Sequence, residues 1–195
     1  MDRVLYFILL TVLLTACGET IQVPKPRTYP RIEFPQKSYA TFTEGYCDFT
    51  FDYPKYGRVI RDSLFFGEKP LNDCWLDIEY PDFNGYLHCT YYPLVKKGDL
   101  DKLIKDEFKM SDRHLAKADY KDEFPIDKGN GTTGLIFEIE GAVASKLQFY
   151  LTDNKDHFLR ASLYFKTQAR PDSIAPVYDF IKDDINRMIT SLEWR

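Results

Sequence analysis

The chain has 195 residues and a formal net charge of −4, and 16% of its residues are aromatic. This charge balance argues against a nucleic-acid partner, because nucleic-acid-binding proteins carry basic faces or basic runs. The length suits one domain with a full hydrophobic core. The abundance of Phe and Tyr favours a strand-rich fold, since these side chains pack well on a pleated, half-buried surface.

The N-terminus has the three parts of a secretory signal. Arg3 gives a weakly basic start, an apolar run extends from Val4 to Leu14, and Leu14-Thr15-Ala16-Cys17 closes the segment. The run is far shorter than the ~20 residues that a spanning helix needs, and it has the size of a signal-peptide apolar region. The last four residues resemble the bacterial lipobox, so we predict a lipoprotein signal peptide at 1–16 and a lipidated Cys17 that binds membrane lipid. The alternative is a plain secretory signal that contains a cysteine by chance.

The segment after Cys17 is predicted to be an extended tether. Residues 17–38 contain four prolines and four basic residues, a composition that does not pack as a helix. In a polyproline-like conformation this segment would reach on the order of 60 Å. The residues directly after Cys17 are Gly18-Glu19-Thr20 and include no acidic run that resembles a surface-export signal. We therefore expect the lipid-anchored chain to lie on the periplasmic face of the outer membrane.

A group of alternating strands follows, and it contains the remaining cysteines. Strands are predicted at 46–53, 74–80 and 86–91, with Asn84-Gly85 as a hairpin signal between the last two. The period of two places Cys47, Cys74 and Cys89 on the apolar faces of these strands. In the oxidising periplasm one disulfide and one free thiol are allowed, and three small buried hydrophobic residues are the alternative.

The second half of the chain predicts helices and further strands. Asp99 is expected to cap a helix that runs to about Tyr120, and Asp172 or Ser173 to cap a final helix. Between them, a loop around 125–134 leads to strands near 135–140, 144–152 and 157–166. We therefore predict a single α+β domain at 39–195, an antiparallel sheet with helices packed on it. Its opening strand and terminal helix resemble the PsbP/Mog1-like α/β/α sandwich.

The sequence contains no credible catalytic, cofactor or metal site. The stretch Gly129-Asn130-Gly131-Thr132-Thr133-Gly134 has the spacing of a dinucleotide-binding loop, but a strand pattern follows it where a helix is required. The three histidines are scattered and have no partner at metal-ligand spacing. The acidic pairs Asp183-Asp184 and Asp122-Glu123 are interpreted as solvated surface. We therefore assign no catalytic residues, no cofactor and no metal, and expect a protein that is not an enzyme.

One set of side chains is a candidate for contact with a partner. Trp75, Tyr86 and His88 alternate with the inward residues of their strands and therefore lie on the opposite face of the sheet. If a helix covers this face, they are ordinary packing residues. If it does not, an exposed aromatic patch of this kind is a candidate binding surface.

An ordered series of residues resembles the gliding-motility lipoprotein family GldD of Bacteroidetes over nearly the whole mature length. The series includes Pro24-Lys25-Pro26-Arg27, Phe49-Thr50-Phe51, Tyr80-Pro81, His114, Gln148-Phe149-Tyr150, Thr152-Asp153, His157-Phe158-Leu159, Ser162-Leu163-Tyr164-Phe165, Asp172-Ser173-Ile174 and Trp194. The resemblance implies a component required for gliding and linked to the type IX secretion apparatus, without a catalytic motif. Cys89 stands where relatives are expected to have an aliphatic residue, which implies that Cys47 and Cys74 form the disulfide.

Two functions follow as hypotheses. The first is a non-enzymatic accessory that binds and stabilises other gliding or secretion proteins of the envelope. The alternative is a periplasmic small-ligand-binding or enzymatic domain on a lipid anchor, with a pocket beside His88 or His157.

Overall fold

The structure is a computed structural model that describes residues 31–61, 70–166 and 171–195. Glu33–Arg195 form one compact unit. The predicted signal peptide, Cys17 and most of the predicted tether lie outside the described residues. The compact unit begins six residues before the expected start at residue 39, because Phe34 and Lys37 already pack against its last helix.

Runs of strands separated by single helices follow one another along the described chain, as is typical of an α+β domain. The elements are β1 (Tyr39–Phe42), β2 (Phe49–Pro54), β3 (Arg58–Arg61), β4 (Leu76–Tyr80), β5 (Gly85–Pro93), α1 (Asp99–Asp112), β6 (Ala118–Asp127), β7 (Thr133–Gly141), β8 (Ser145–Thr152), β9 (His157–Phe165), α2 (Pro171–Ser191) and β10 (Glu193–Trp194). Short 3₁₀ turns at Pro81–Phe83 and Leu115–Lys117 lead into β5 and β6.

Two antiparallel sheets form the framework. The larger has the strand order β3-β4-β5-β9-β8-β7-β6, and the smaller has the order β1-β2-β10. One face of the large sheet packs against α2 and the small sheet around a single core, which is built from residues such as Phe49, Leu87, Leu163, Ile181 and Ile185. Part of the opposite face packs against α1. The predicted α+β class and the α/β/α layering are therefore confirmed.

The β4–β5 hairpin forms as the Asn84-Gly85 pair predicts. Asn84 has a φ of 49° and so occupies the left-handed region, which asparagine tolerates better than most residues. Gly85 then starts β5, and Tyr80 pairs with Gly85 in the antiparallel register. A side chain at Gly85 would press against Phe165 and Ile181, so the small residue also lets α2 approach the turn.

All three remaining cysteines are buried in the core, as their strand period predicts. Cys47, Cys74 and Cys89 are at most 3% exposed. The structure joins Cys47 to Cys74 in a disulfide with a Cα–Cα separation of 5.4 Å, and Cys89 is a buried free thiol. Burial raises the pKa of the Cys89 thiol well above its usual value, which keeps it protonated.

The first helix is shorter than the sequence predicts. It ends at Asp112, and the chain then enters β6, which contains Tyr120 and Pro125. The apolar residues Leu100, Leu103, Ile104 and Phe108 pack on the sheet as expected, whereas Leu115 is 47% exposed. The eight residues 113–120 are therefore not part of the helix: Leu115–Lys117 form a 3₁₀ turn, and from Ala118 onwards the ladder between β6 and β7 supplies the backbone hydrogen bonds and overrides the helical pattern.

The interpretation of Asp183-Asp184 as solvated surface is wrong for its second member. Asp183 is exposed, but the Asp184 side chain is fully buried. Its carboxylate accepts hydrogen bonds from the hydroxyls of Tyr39, at 2.8 Å, and Tyr56. The proximity of this carboxylate and burial together raise the pKa of Tyr39 to about 12. Asp184 therefore fastens β1 and the β2–β3 turn to α2.

Candidate functional site

Trp75, one of the three predicted partner contacts, is a buried residue. It is only 7% exposed, and its indole N–H donates a hydrogen bond to the carbonyl oxygen of Tyr91 at 3.2 Å. Its ring packs edge-on against Tyr92, which belongs to the cluster under α1. The expectation of an exposed contact is therefore corrected for Trp75, because its ring packs against Tyr92 and its indole N–H is bonded to the backbone.

The other two predicted contacts lie on the open part of the same face. Tyr86 and His88 are partly exposed on β5, and Tyr164 joins them from β9, directly opposite Tyr86 in the register. The Tyr86 and His88 rings stack with centroids 6.1 Å apart, and His88 lies 5.4 Å from the Tyr164 ring. We call Tyr86, His88 and Tyr164 the aromatic patch. The sequence analysis missed Tyr164, although its alternation along β9 predicts the same face.

Charged side chains surround the aromatic patch and hold it in place. His88 Nδ1 lies 2.6 Å from Asp77 Oδ1 on β4. The Tyr86 hydroxyl donates to Glu79 Oε1 at 2.9 Å and accepts a hydrogen bond from Lys166 Nζ at 2.8 Å. The hydrogen bond to Tyr86 and the nearby Glu79 and Asp77 raise the pKa of Lys166. The patch is thus a set of oriented rings with two carboxylates on one side and an ammonium group on the other.

Helix α1 covers the neighbouring half of the face and leaves the patch open. Phe108 of α1 packs edge-on against Phe137 with centroids 5.1 Å apart. The fully buried Glu107 receives a hydrogen bond from Arg160 of β9 at 3.0 Å. Burial raises the pKa of Glu107, and the Arg160 guanidinium partly opposes that effect. This ion pair fixes the helix over β7, β8 and β9, away from Tyr86 and His88.

The residues around His88 include the three residue types of a hydrolytic triad. Asp77, His88 and Ser162 are direct cross-strand neighbours on β4, β5 and β9. In the described part of the chain, however, no hydrogen bond joins Ser162 to His88. Strands β5 and β9 also lie inside the sheet, so their backbone N–H groups are engaged in ladders where an oxyanion hole would need free donors. The cross-strand row of Asp77, His88 and Ser162 therefore has a geometry that suits binding better than acyl transfer.

His157, the second histidine considered for a pocket, is packed under the C-terminus. Its ring stacks on Trp194 with centroids 5.1 Å apart and an interplanar angle of 6°. Its Nδ1 lies 2.7 Å from the Tyr91 hydroxyl, and burial raises the pKa of Tyr91 to about 12. Trp194 in turn donates to Thr132 at 3.1 Å. These contacts give His157 a role in holding β10 in place.

A shallow cavity lies at the start of α1. Its volume is about 280 Å³, and it is lined by the loop from Leu94 to Gly98 together with Leu100, Asn154 and Lys155. Neither His88 nor His157 lines it, so it does not correspond to the pocket of the alternative hypothesis.

Within residues 31–61, 70–166 and 171–195, no three His, Cys, Asp or Glu side chains come together in a metal-binding arrangement. The helices of the same ranges are too short or too polar to cross a bilayer.

The N-terminal end of the domain is fastened to the middle of α2. Phe34 packs on Phe180 with ring centroids 4.5 Å apart and contacts Phe83 at 5.8 Å. Lys37 Nζ donates to the Phe180 carbonyl oxygen at 2.8 Å and lies 3.4 Å from a buried carboxylate oxygen of Asp184. Any pull on the segment before Phe34 is therefore transmitted to α2.

Comparison with known protein families identifies the chain. The family model for the gliding motility lipoprotein GldD matches residues 19–194. The chain belongs to the GldD family. Membership associates it with gliding motility and, as a lipoprotein, with the cell envelope. No curated protein matches the chain significantly.

Among solved structures, the chain is similar to the solution structure of cyanobacterial PsbP (CyanoP) from Synechocystis sp. PCC 6803. The identity is 12% and the TM-score 0.49, and the match covers 85% of this chain and 98% of that chain.

Proposed function

We propose that this member of the GldD family is a lipid-anchored, non-enzymatic accessory of the gliding machinery that binds another envelope protein linked to type IX secretion. The observation that carries the proposal is the aromatic patch. Its three rings lie on interior strands of a rigid sheet, are oriented by charged neighbours and stay partly exposed. Tyrosine-rich patches with a charged rim are typical centres of protein–protein contact.

Anchoring is proposed at Cys17, on the periplasmic face of the outer membrane. The lipobox-like Leu14-Thr15-Ala16-Cys17 supports acylation, with palmitate-type chains as the lipid. Sixteen residues, 18–33, separate Cys17 from the fastened Phe34, and as polyproline they would reach about 50 Å. This length would let the domain meet a partner well above the membrane while it stays attached.

Crosslinking in living cells tests the binding role. A deletion strain is complemented with the full chain carrying an affinity tag, treated with a mild crosslinker and analysed for a defined gliding or secretion protein in the purified complex. We expect Tyr86→Ala with His88→Ala to reduce this complex at least tenfold. Leu71→Ala is the matched control, because Leu71 is 76% exposed outside the patch. Recovery of the wild-type chain alone would contradict the proposal.

Replacing the anchor tests the localisation. Cys17→Ala should release the chain from the outer-membrane fraction, cause the unprocessed precursor to accumulate and impair spreading. Normal spreading of this strain would refute the anchoring half of the proposal.

Ser162→Ala tests whether the protein acts as a hydrolase. A hydrolytic role for Ser162 with Asp77 and His88 predicts loss of spreading, whereas the binding role predicts little change.

A further inference from the structure

Strand β6 is an open edge of the seven-stranded sheet. Among the described residues it pairs only with β7, and seven of its ten residues are exposed. At such an edge, half of the backbone N–H and C=O groups point away from the sheet, and an extended chain can pair with them. After an irregularity between Ala118 and Tyr120, the register with β7 is unbroken to Asp127. The strand therefore offers a regular ladder to a further strand.

Two of the features that usually block such an edge, a solvent-directed lysine and a proline, are missing from its central part. A lysine directed into solvent is a common guard against edge pairing. Lys121, however, turns back towards α1: its side chain is only 13% exposed and lies 2.7 Å from Asp112 and 3.0 Å from Glu123. Proline is the second common guard, but Pro125 is near the end of the strand and leaves residues 120–124 free of it.

Two exposed aromatic residues line the α2 side of this edge. Tyr120 is 57% exposed and Phe124 is 46% exposed, with Asp122 between them on the same side of the strand. Phe124 pairs with Ile136, which packs into the core under α2. These rings would form one wall for the side chains of a strand that adds to β6.

The charge of the edge determines what kind of strand fits. β6 carries four carboxylates, from Asp119, Asp122, Glu123 and Asp127, against the single ammonium group of Lys121. In the described chain only Glu123 of these four acids has an ion-pair partner. A second copy of the same edge would place carboxylates opposite carboxylates, which is unfavourable in cross-strand pairs. A strand with lysine or arginine residues would meet opposite charges.

We infer that β6 is a docking edge for an extended segment of a partner protein, in which basic residues alternate with aliphatic ones. The segment would add to the sheet as an eighth strand, with aliphatic side chains on the α2 side against Tyr120 and Phe124. Its basic side chains would then lie on the opposite side, near Glu123. This inference deepens the proposed function and rests on it, since it assumes that the chain binds an envelope protein through non-enzymatic contacts.

A synthetic peptide tests the edge directly. The probe has ten residues that alternate valine and lysine, and it is added to the full chain purified in detergent. We expect binding by fluorescence anisotropy and slower amide hydrogen exchange in residues 118–127. Two control peptides separate the contribution of charge from that of backbone hydrogen bonds. One replaces every lysine by glutamate, and the other carries N-methyl groups that remove backbone donors. Both should bind at least tenfold more weakly. Equal binding of either control would overturn the inference.

Variants of the edge provide the second measurement. Tyr120→Lys with Phe124→Lys removes the apolar wall and reduces the net negative charge of β6, and it should weaken probe binding at least tenfold. Both positions are exposed, so the fold is expected to persist, and Tyr120→Ser with Phe124→Ser should act in the same direction if the lysine variant is unstable. Val95→Lys, at a residue that is 78% exposed elsewhere, is the control. Unchanged binding by both pairs of variants would refute the docking edge.

The same variants in cells separate this inference from the proposed function. If the crosslinked complex persists in the Tyr120→Lys, Phe124→Lys strain, the docking edge is wrong while the binding role stands. If the wild-type chain forms no complex at all, the proposed function fails whatever the peptide does. Loss of the complex in both the edge variant and the patch variant would support a partner that contacts two faces.

Discussion

Removal of the Cys47–Cys74 disulfide is a perturbation whose effect on stability can be estimated from the structure. The bridge links residues 27 positions apart and so restricts the unfolded chain. For a loop of this length the chain-entropy relation gives about 3.5 kcal/mol at 25 °C. In a domain of this size, that change corresponds to a fall in Tm of about 10 °C. The expected loss is a large fraction of the stability of an ordinary domain.

The assay is urea unfolding of the full chain in detergent, followed by tryptophan fluorescence. Cys47→Ala with Cys74→Ala should lower the free energy of unfolding by about 3.5 kcal/mol, and a reductant should produce a similar loss in the wild type. Cys89→Ala is the matched control, since it removes a buried sulfur without a bridge. Its loss should be smaller, about 1 kcal/mol, and its stability should still fall on reduction. If reductant leaves the wild-type free energy of unfolding unchanged, the reasoning about the disulfide is refuted.

Three further predictions concern buried polar groups. Arg160→Met leaves Glu107 charged and buried, so it should lower the free energy of unfolding by about 3–5 kcal/mol at neutral pH. Because burial already raises the pKa of Glu107, this loss should shrink as the pH falls towards 5 and the carboxylate becomes protonated. A loss that does not depend on pH would contradict this. Burial would raise the pKa of Asp153, but hydrogen bonds from the backbone N–H groups of Lys155, Asp156 and His157 outweigh it and lower this pKa. The contribution of Asp153 to stability, about 2 kcal/mol, should therefore be complete above pH 4 and lost below it. Asp153→Asn should remove this loss of stability at acid pH. Tyr39→Phe removes a donor to Asp184 and should cost about 1–2 kcal/mol in thermal or urea unfolding, while Tyr53→Phe, whose hydroxyl has no hydrogen-bond partner in the described chain, should change little.

The buried strands could be predicted from the sequence because one face of each is apolar and packs into the core, whereas the other face carries polar or partly exposed side chains. Alternation predicts the inward set of β4 and β5, including Cys74 and Cys89, and the Asn84-Gly85 pair predicts the turn between them. Asp184 could not be predicted in this way. Its environment is created by Tyr39 and Tyr56, which come from parts of the chain more than 120 residues away. A carboxylate on a helix has the same sequence signature whether water or two tyrosine hydroxyls surround it.

The polar edge strand was missed for a related reason. β6 contains Pro125 and four carboxylates, and the residues before it continue the helical pattern of α1. Among the described strands, β6 pairs on one side only and buries few of its side chains, so it shows little apolar alternation. Its structure is specified by β7, whose Phe137 and Ile139 alternate clearly and are buried. The polar, mostly exposed side chains of β6 make the strand difficult to recognise in the sequence. The same side chains suit it to a charged partner strand.

The openness of the aromatic patch follows from the topology. Seven strands spaced about 4.8 Å apart make a sheet about 29 Å wide, whereas one helix is about 10 Å wide. α2 shares its face with the small sheet, and together they bury that side. On the other face, α1 covers only the part of the sheet around Phe137, and the ion pair between Arg160 and Glu107 holds the helix there. Alternation assigns Trp75, Tyr86 and His88 to one face but does not indicate which part the helix covers. Because α1 is the only described helix that packs on that face, part of the sheet stays exposed, and the patch occupies that part.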